Sequence, residues 1–176
     1  MKQTTIFSAL AALLLLGCQP HQSTSVSNYD VIPQPQEVVL LDNSAPFVLD
    51  KQTQILYTSE VSASDAEFLA DYITEATNIR IGTPTPISTE EQALSSTILL
   101  SIASDPLANP EGYAIGVDSC TVKIVGNSSD GLFYGIQTLR KALPVGNFDS
   151  VELPAVKIAD YPRFGYRGMH LDVARH

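Results

Sequence analysis

Two stretches of this chain carry apolar residues at helical spacing on one side only, and nothing else in the sequence constrains the fold so much. Between Ala63 and Thr77, the residues Phe68, Leu69, Tyr72, Ile73 and Ala76 recur every three or four positions. Between Asp130 and Leu143, the residues Leu132, Ile136, Leu139 and Leu143 do the same. Each stripe has to be buried against another layer. The ends are marked as well. Ser64 with Glu67 predicts a capping box for the first helix, and Asn78 its stop. Ser128 or Ser129 caps the second, Pro144 follows it, and Gly135 lets it approach a sheet closely.

The remaining chain supplies that sheet in short runs. Val31–Gln36 is extended, because Pro33 and Pro35 each push the preceding residue out of the helical region. Glu37–Leu41, Phe47–Leu49 and Gln54–Tyr57 read as strands, with turn-forming Asp42-Asn43-Ser44 after the first. Thr97–Ile102 is a nearly continuous apolar run, as in a covered strand. Gly112–Val117 and Thr121–Val125 alternate in polarity around Asp118-Ser119 and predict a hairpin. Thr83–Thr89, with two prolines, reads as a loop, and Val151–Asp160 as a short connection. These elements predict an α+β fold, a mostly antiparallel sheet with two helices on one face. Gly168–Ala174 is then a further apolar strand pattern, closed by Arg175 and His176. The first strand of a (β/α)8 barrel has this form, with functional residues at its C-terminal end. Such a barrel takes roughly 250 residues, so the chain reads as holding only the start of a truncated one.

The N-terminus reads as a targeting signal. Lys2 precedes the apolar run Ala9–Leu16, which is shorter than the roughly 20 residues of a membrane-spanning helix. Leu15-Leu16-Gly17-Cys18 resembles a bacterial lipobox, in which Cys18 becomes the lipid-modified residue. The plainer alternative is an ordinary signal peptide with an incidental cysteine. No aspartate follows Cys18, which by known sorting rules points to the outer membrane. Gln19–Asn28 is polar and Ser-rich and reads as a tether. The expected organisation is a lipoprotein signal peptide over 1–17, a tether over 18–28, an α+β domain over 29–157 and the barrel start over 158–176. The other cysteine, Cys120, then has no disulfide partner and reads as a buried, inert thiol beside a strand. The formal net charge of −9, with no Lys/Arg cluster, argues against nucleic acid and against an electrostatic membrane patch.

Chemistry is sparse. Asp65, Glu67, Asp71, Glu90 and Glu91 read as solvated surface charge. Gly126–Gly131 lacks the lysine of a phosphate-binding loop and reads as a helix cap. Tyr134 and Arg140 lie off the buried stripe and read as surface. Only Arg167, His170, Asp172, Arg175 and His176 crowd one strand. Alternation puts Arg167, Met169, Leu171, Val173 and Arg175 on one face. At a barrel mouth the Arg175 guanidinium can donate paired hydrogen bonds to adjacent sugar hydroxyls. A salt bridge at a strand end is the alternative.

Tyr166–His176, YRGMHLDVARH, closely resembles the first barrel strand of glycoside hydrolase family 20, the β-N-acetylhexosaminidases, and Tyr161–Phe164 resembles its lead-in. Ile32–Gln36 is similar to that family's opening motif, and Glu111–Tyr113 with Gly131–Leu139 to the hairpin and helix of its N-terminal domain. The resemblance implies a noncatalytic α+β module packed on a catalytic barrel. It implies removal of terminal β-linked N-acetylglucosamine or N-acetylgalactosamine from glycans or chito-oligosaccharides. The mechanism would be retaining and substrate-assisted, with no metal or organic cofactor, the 2-acetamido oxygen attacking the anomeric carbon. It assigns Arg175 the sugar's 3- and 4-hydroxyls. The family's catalytic Asp-Glu pair lies further downstream, and so do the aromatic residues of its sugar pocket; the chain has no Trp. The 176-residue chain is therefore expected to be inactive alone. The competing reading is a noncatalytic surface lipoprotein module for glycan or protein interaction. A lone barrel-type strand with unpaired edges argues against it.

Overall fold

The computed structural model describes residues 23–89, 95–103 and 109–169. Among them the strands are β1 (Thr24–Val26), β2 (Glu37–Leu40), β3 (Phe47–Leu49), β4 (Gln54–Thr58), β5 (Thr85–Ile87), β6 (Thr97–Ile102), β7 (Tyr113–Val117), β8 (Thr121–Gly126), β9 (Ser150–Leu153) and β10 (Val156–Asp160). The helices are α1 (Ala63–Thr77) and α2 (Ser129–Ala142). A large sheet has the order β2-β10-β7-β8-β6-β4-β5, and a small one the order β1-β9-β3.

Alternation decides what the large sheet buries. Two rows of apolar side chains cross it in register, Val156-Val117-Val122-Ile98-Ile55 and Ile158-Ile115-Ile124-Leu100. Every one of these residues is buried. The stripes of α1 (Leu69, Ile73) and α2 (Leu132, Ile136, Leu139) belong to the same core, as do Phe47, Leu49, Val151 and Leu153 of the small sheet. The helices also touch each other: the Phe68 and Phe133 rings lie 5.9 Å apart, and the Arg140 guanidinium sits 4.5 Å over the Tyr72 ring. Two helices side by side over one sheet bear out the α+β reading.

The sheet divides in two. From β2 through β10 and β7 to β8 every pairing is antiparallel, as expected. From β8 through β6 and β4 to β5 the pairings are parallel. Connectivity accounts for the pairings of β4: α1 lies between it and both β5 and β6 in the chain, and a helical crossover returns the chain in its original direction.

Several local expectations are corrected. The cap of α1 is Ser62, whose side chain accepts from the Ser64 amide, rather than Ser64. Asn78 does end that helix, left-handed at φ 61°, with its amide bonded to the Thr74 carbonyl. Ser128 caps α2 by accepting from the Gly131 amide. Thr83–Thr89 is not all loop, because β5 pairs with β4; Pro86 is tolerated there since β5 is an edge strand with no outer neighbour to receive its missing N–H. Val151–Asp160 is two strands, not a connection. β9 alternates half-buried and buried residues and β10 buried and exposed ones, and Pro154 sits between them where the chain changes sheets. β10 runs across the expected boundary at 157/158. Regular structure also begins before Tyr29: β1 pairs with β9, and Ser23 bonds to Asp149 and Asn147. Cys120 is exposed, not buried. It lies in the β7–β8 turn, where the Asp118 carboxylate accepts both the Cys120 and Thr121 amides and ties down the backbone, leaving the thiol outside the core.

Close approach of α2 to the sheet rests on glycine. A Cβ at Gly131 would collide with the carbonyl oxygen of Gly112, and one at Gly135 would lie 2.6 Å from Ile124 Cγ2. At Gly116, on the opposite face of the sheet, a Cβ meets nothing within 4 Å. Gly131→Ala is expected to destabilise the domain by about 1–3 kcal/mol despite alanine's better helix propensity, because backbone cannot move aside cheaply. Gly116→Ala is expected to be neutral or slightly stabilising. Chemical denaturation of the two variants checks this, and equal midpoints would refute the packing argument.

Candidate functional site

The chain leaves the large sheet at the end of β10, and polar side chains converge there. Asp160 Oδ1 accepts from the Gln36 amide at 3.1 Å, and Gln36 Nε2 donates to the Tyr161 carbonyl at 2.8 Å. Asp160 Oδ2 accepts from the Tyr113 hydroxyl at 2.9 Å. That hydroxyl also lies 2.6 Å from Thr138 Oγ1 on α2, so Thr138 is the donor of the pair. Burial pushes the Tyr113 phenol well above its ordinary pKa, and the Asp160 carboxylate adds to it. Tyr113 therefore stays a neutral donor. The opening segment is fixed to the same corner. Lys141 Nζ donates to the Ile32 carbonyl at 2.8 Å, and Tyr29 donates to the Pro154 carbonyl at 2.9 Å.

At this corner lies an open groove of about 490 Å3, lined among others by Tyr113, Tyr134, Lys141, Tyr161, Phe164 and Arg167. Glu111 is bonded to two of its lining residues. Its Oε1 receives Arg167 Nη2 at 2.6 Å and the Tyr134 hydroxyl at 3.1 Å. Arg167 Nη1 also donates to the Phe164 carbonyl at 2.8 Å, and the guanidinium lies 5.8 Å from the centre of the Tyr134 ring. Glu111 is set in place by its own loop, where Asn109 Oδ1 accepts the Glu111 amide and the Asn109 carbonyl accepts the Gly112 amide.

Of the residues singled out in sequence, Arg175, His170, Asp172 and His176 lie outside the described residues, as do Cys18, Glu90 and Glu91. Gly168 and Met169, the described start of the expected barrel strand, carry no strand. Arg167 is described, and it turns to Glu111 instead of standing in a strand face. Glu67 and Asp71 are exposed as expected, whereas Asp65 is half-buried and desolvation raises its pKa. Tyr134 is half-buried and lines the groove rather than facing only solvent. Sequence reasoning missed the Glu111–Tyr134–Arg167 cluster. Its members are far apart along the chain, and no local periodicity links them. Among the described residues no three His, Cys, Asp or Glu side chains gather to hold a metal ion, and no helix is long and apolar enough to cross a membrane.

The hydrogen bond from Arg167 holds the Glu111 carboxyl below its ordinary pKa. A depressed carboxylate pKa contributes stability above the unfolded value, about 4.3, and loses it as the pH falls through the lower folded value. The Arg167 side-chain resonances are thus expected to stay in their paired position down to about pH 4.3 and to shift only below it. In Glu111→Gln they should start at the unpaired position and not titrate. An NMR titration in which wild type and variant behave alike would contradict the pairing.

The family model described as glycosyl hydrolase family 20, domain 2, matches residues 28–161. The chain is 32% identical to a β-hexosaminidase of Porphyromonas gingivalis, over 100% of this chain and 23% of that protein. It is 30% identical to a β-N-acetylhexosaminidase of Cellulomonas fimi, over 83% of this chain and 29% of that protein. The solved structure of the family 20 β-N-acetylhexosaminidase from Streptomyces coelicolor superposes with a TM-score of 0.63 at 27% identity, over 80% of this chain and 28% of that one. The chain thus spans less than a third of the length of these relatives. The matched region contains both helices, the strands from β2 to β10 and the corner at Asp160, and on that match the chain belongs to glycosyl hydrolase family 20.

Proposed function

We propose that this chain is the N-terminal portion of an exo-acting β-N-acetylhexosaminidase that removes terminal β-linked N-acetylglucosamine or N-acetylgalactosamine from glycans or chito-oligosaccharides. The observation that carries the reading is the 32% identity to a β-hexosaminidase across the whole chain, 161–176 included. In this reading the α+β domain has no catalytic group of its own, which fits a site corner whose polar side chains bond to one another and to backbone. Chemistry belongs to a barrel that begins after β10. Its first strand delivers Arg175, whose guanidinium donates to the 3- and 4-hydroxyls of the terminal sugar. Cleavage is retaining and substrate-assisted: the 2-acetamido oxygen is the nucleophile, an Asp from the rest of the barrel orients it, and a neighbouring Glu acts as general acid and base. Cys18 carries the lipid that holds the enzyme to the cell envelope, most simply at the outer membrane.

Two measurements test this. In the complete enzyme Arg175→Ala is expected to lower kcat/KM on a p-nitrophenyl N-acetylglucosaminide by about 1.5–3 kcal/mol of transition-state stabilisation. An unchanged kcat/KM would remove Arg175 from the sugar site. The 176-residue chain by itself is expected to release no chromophore. For the anchor, Cys18→Ala is expected to abolish incorporation of labelled palmitate and to move the protein out of the membrane fraction. Labelling that survives the change would refute lipidation at Cys18.

A further inference from the structure

From Pro162 to Met169 the chain has no regular secondary structure. Its large side chains do not anchor it, since Phe164 is 71% exposed, Tyr166 89% and Met169 86%. Among the described residues, Arg167 makes every hydrogen bond that joins this stretch to the body of the domain. It bonds in two directions at once. Outward it meets Glu111 Oε1 at 2.6 Å and the Tyr134 hydroxyl at 3.3 Å. Backward it meets the Phe164 carbonyl at 2.8 Å. The second bond closes Phe164–Arg167 into a turn, and the first fixes that turn against the loop before β7 and the face of α2. Both of those supports are rigid. The Glu111 loop is bonded to the α2 cap through Ser128 Oγ and the Pro110 carbonyl at 2.7 Å, and through Asn127 Nδ2 and the Asn109 carbonyl at 2.9 Å. Arginine suits the position, because its planar fork serves several acceptors at once where a lysine ammonium is a single point.

We infer that the Arg167–Glu111 pair, steadied by Tyr134, is a latch that sets the direction in which the chain leaves the α+β domain. Arg167 is in this sense a positioning residue. Resting on the function proposed above, it orients the following strand and so the placement of Arg175, while touching no substrate itself. The latch takes over where the Gln36–Asp160–Tyr161 bonds end, so the exit is gripped at two successive points with the unanchored Pro162–Tyr166 stretch between them.

The test uses the 176-residue chain, and the complete enzyme in parallel. In the short chain, chymotrypsin cleavage after Phe164 and Tyr166 reads the latch directly. Glu111→Gln and Arg167→Gln are each expected to raise the initial cleavage rate by about fivefold, the most that an exposed ion pair ordinarily holds. The charge-reversed double variant, Glu111→Arg with Arg167→Glu, is expected to return most of that protection. The melting midpoint should fall by at most a few degrees in the single variants, the loss of one exposed pair, since no core residue is touched. Unaltered cleavage in the single variants, a double variant no better than the singles, or a midpoint that falls by about ten degrees or more would each overturn the latch. In the complete enzyme the single variants are expected to lower kcat/KM for an N-acetylglucosaminide by about the same factor, with the double variant restoring it. A complete enzyme inactive on such substrates in its wild-type form sinks the proposed function but leaves the proteolysis result intact. Normal kinetics combined with increased cleavage sinks the positioning role.

Discussion

β10 lies between β2 and β7 and is hydrogen-bonded to both, and the arrangement of the exit depends on that position. A strand held on two sides cannot shift its register without moving Val156 and Ile158 out of the core, since a slip of one residue reverses every side chain. Its last residue, Asp160, is therefore fixed relative to Tyr113 on one neighbour and to Gln36 beyond the other. The segment before β2 and the segment after β10 are brought to one corner although they lie at opposite ends of the domain's sequence. A helix then covers that corner through Thr138 and Lys141. The polar network is small, but each member is tied to an element whose apolar side is buried.

How much of this could be read from the sequence follows from where the ordering energy comes from. The helices were legible because their stripes repeat on one element. The predicted first helix and α1 coincide at Ala63–Thr77, and the second is displaced by only a residue at each end. The β7–β8 hairpin was legible because Asp118-Ser119 interrupts a period-two pattern. β1 was not, because Thr24–Val26 is largely exposed and is held by backbone pairing to β9. Polar residues in a strand ordered by its neighbour look like a linker. β5 was hidden by Pro86, which marks a loop unless the strand is known to be an edge. β10 was hidden for the opposite reason. Its pattern is strand-like, but it follows Pro154 closely, and only the tertiary structure shows room for it between β2 and β7. The Arg167–Glu111 pair belongs to the same class as β1, being a contact between residues 56 apart in sequence.

The division of the large sheet bears on the role of each half. The parallel half, β6-β4-β5, is built around the crossover through α1 and ends at a proline-bearing edge. The antiparallel half, β2-β10-β7-β8, carries both the opening segment and the exit. Gln36 before β2, Tyr113 on β7, Thr138 on α2 and Tyr161 after β10 all meet around the Asp160 corner. These segments are scattered in sequence and adjacent in space.

On the function proposed above, such a joint gives the α+β domain a physical connection to turnover. A barrel strand has to arrive with its functional residue at the correct mouth and the correct face, and the alternation of strand side chains makes that placement sensitive to register by single residues. Misplacement of a binding group by about 1 Å can cost about a hundredfold in rate. A chain that left the domain as a free tether would leave that placement entirely to the barrel's own packing. Here the exit is instead gripped twice, by Asp160 with Gln36 and then by Glu111 with Arg167. The first grip leans on a buried strand end and resists change with the core. The second is half-exposed and electrostatic, so it adjusts at little cost and still biases the direction in which the chain leaves. The second grip, at Arg167, also lies nearer in the chain to the strand that has to be aimed.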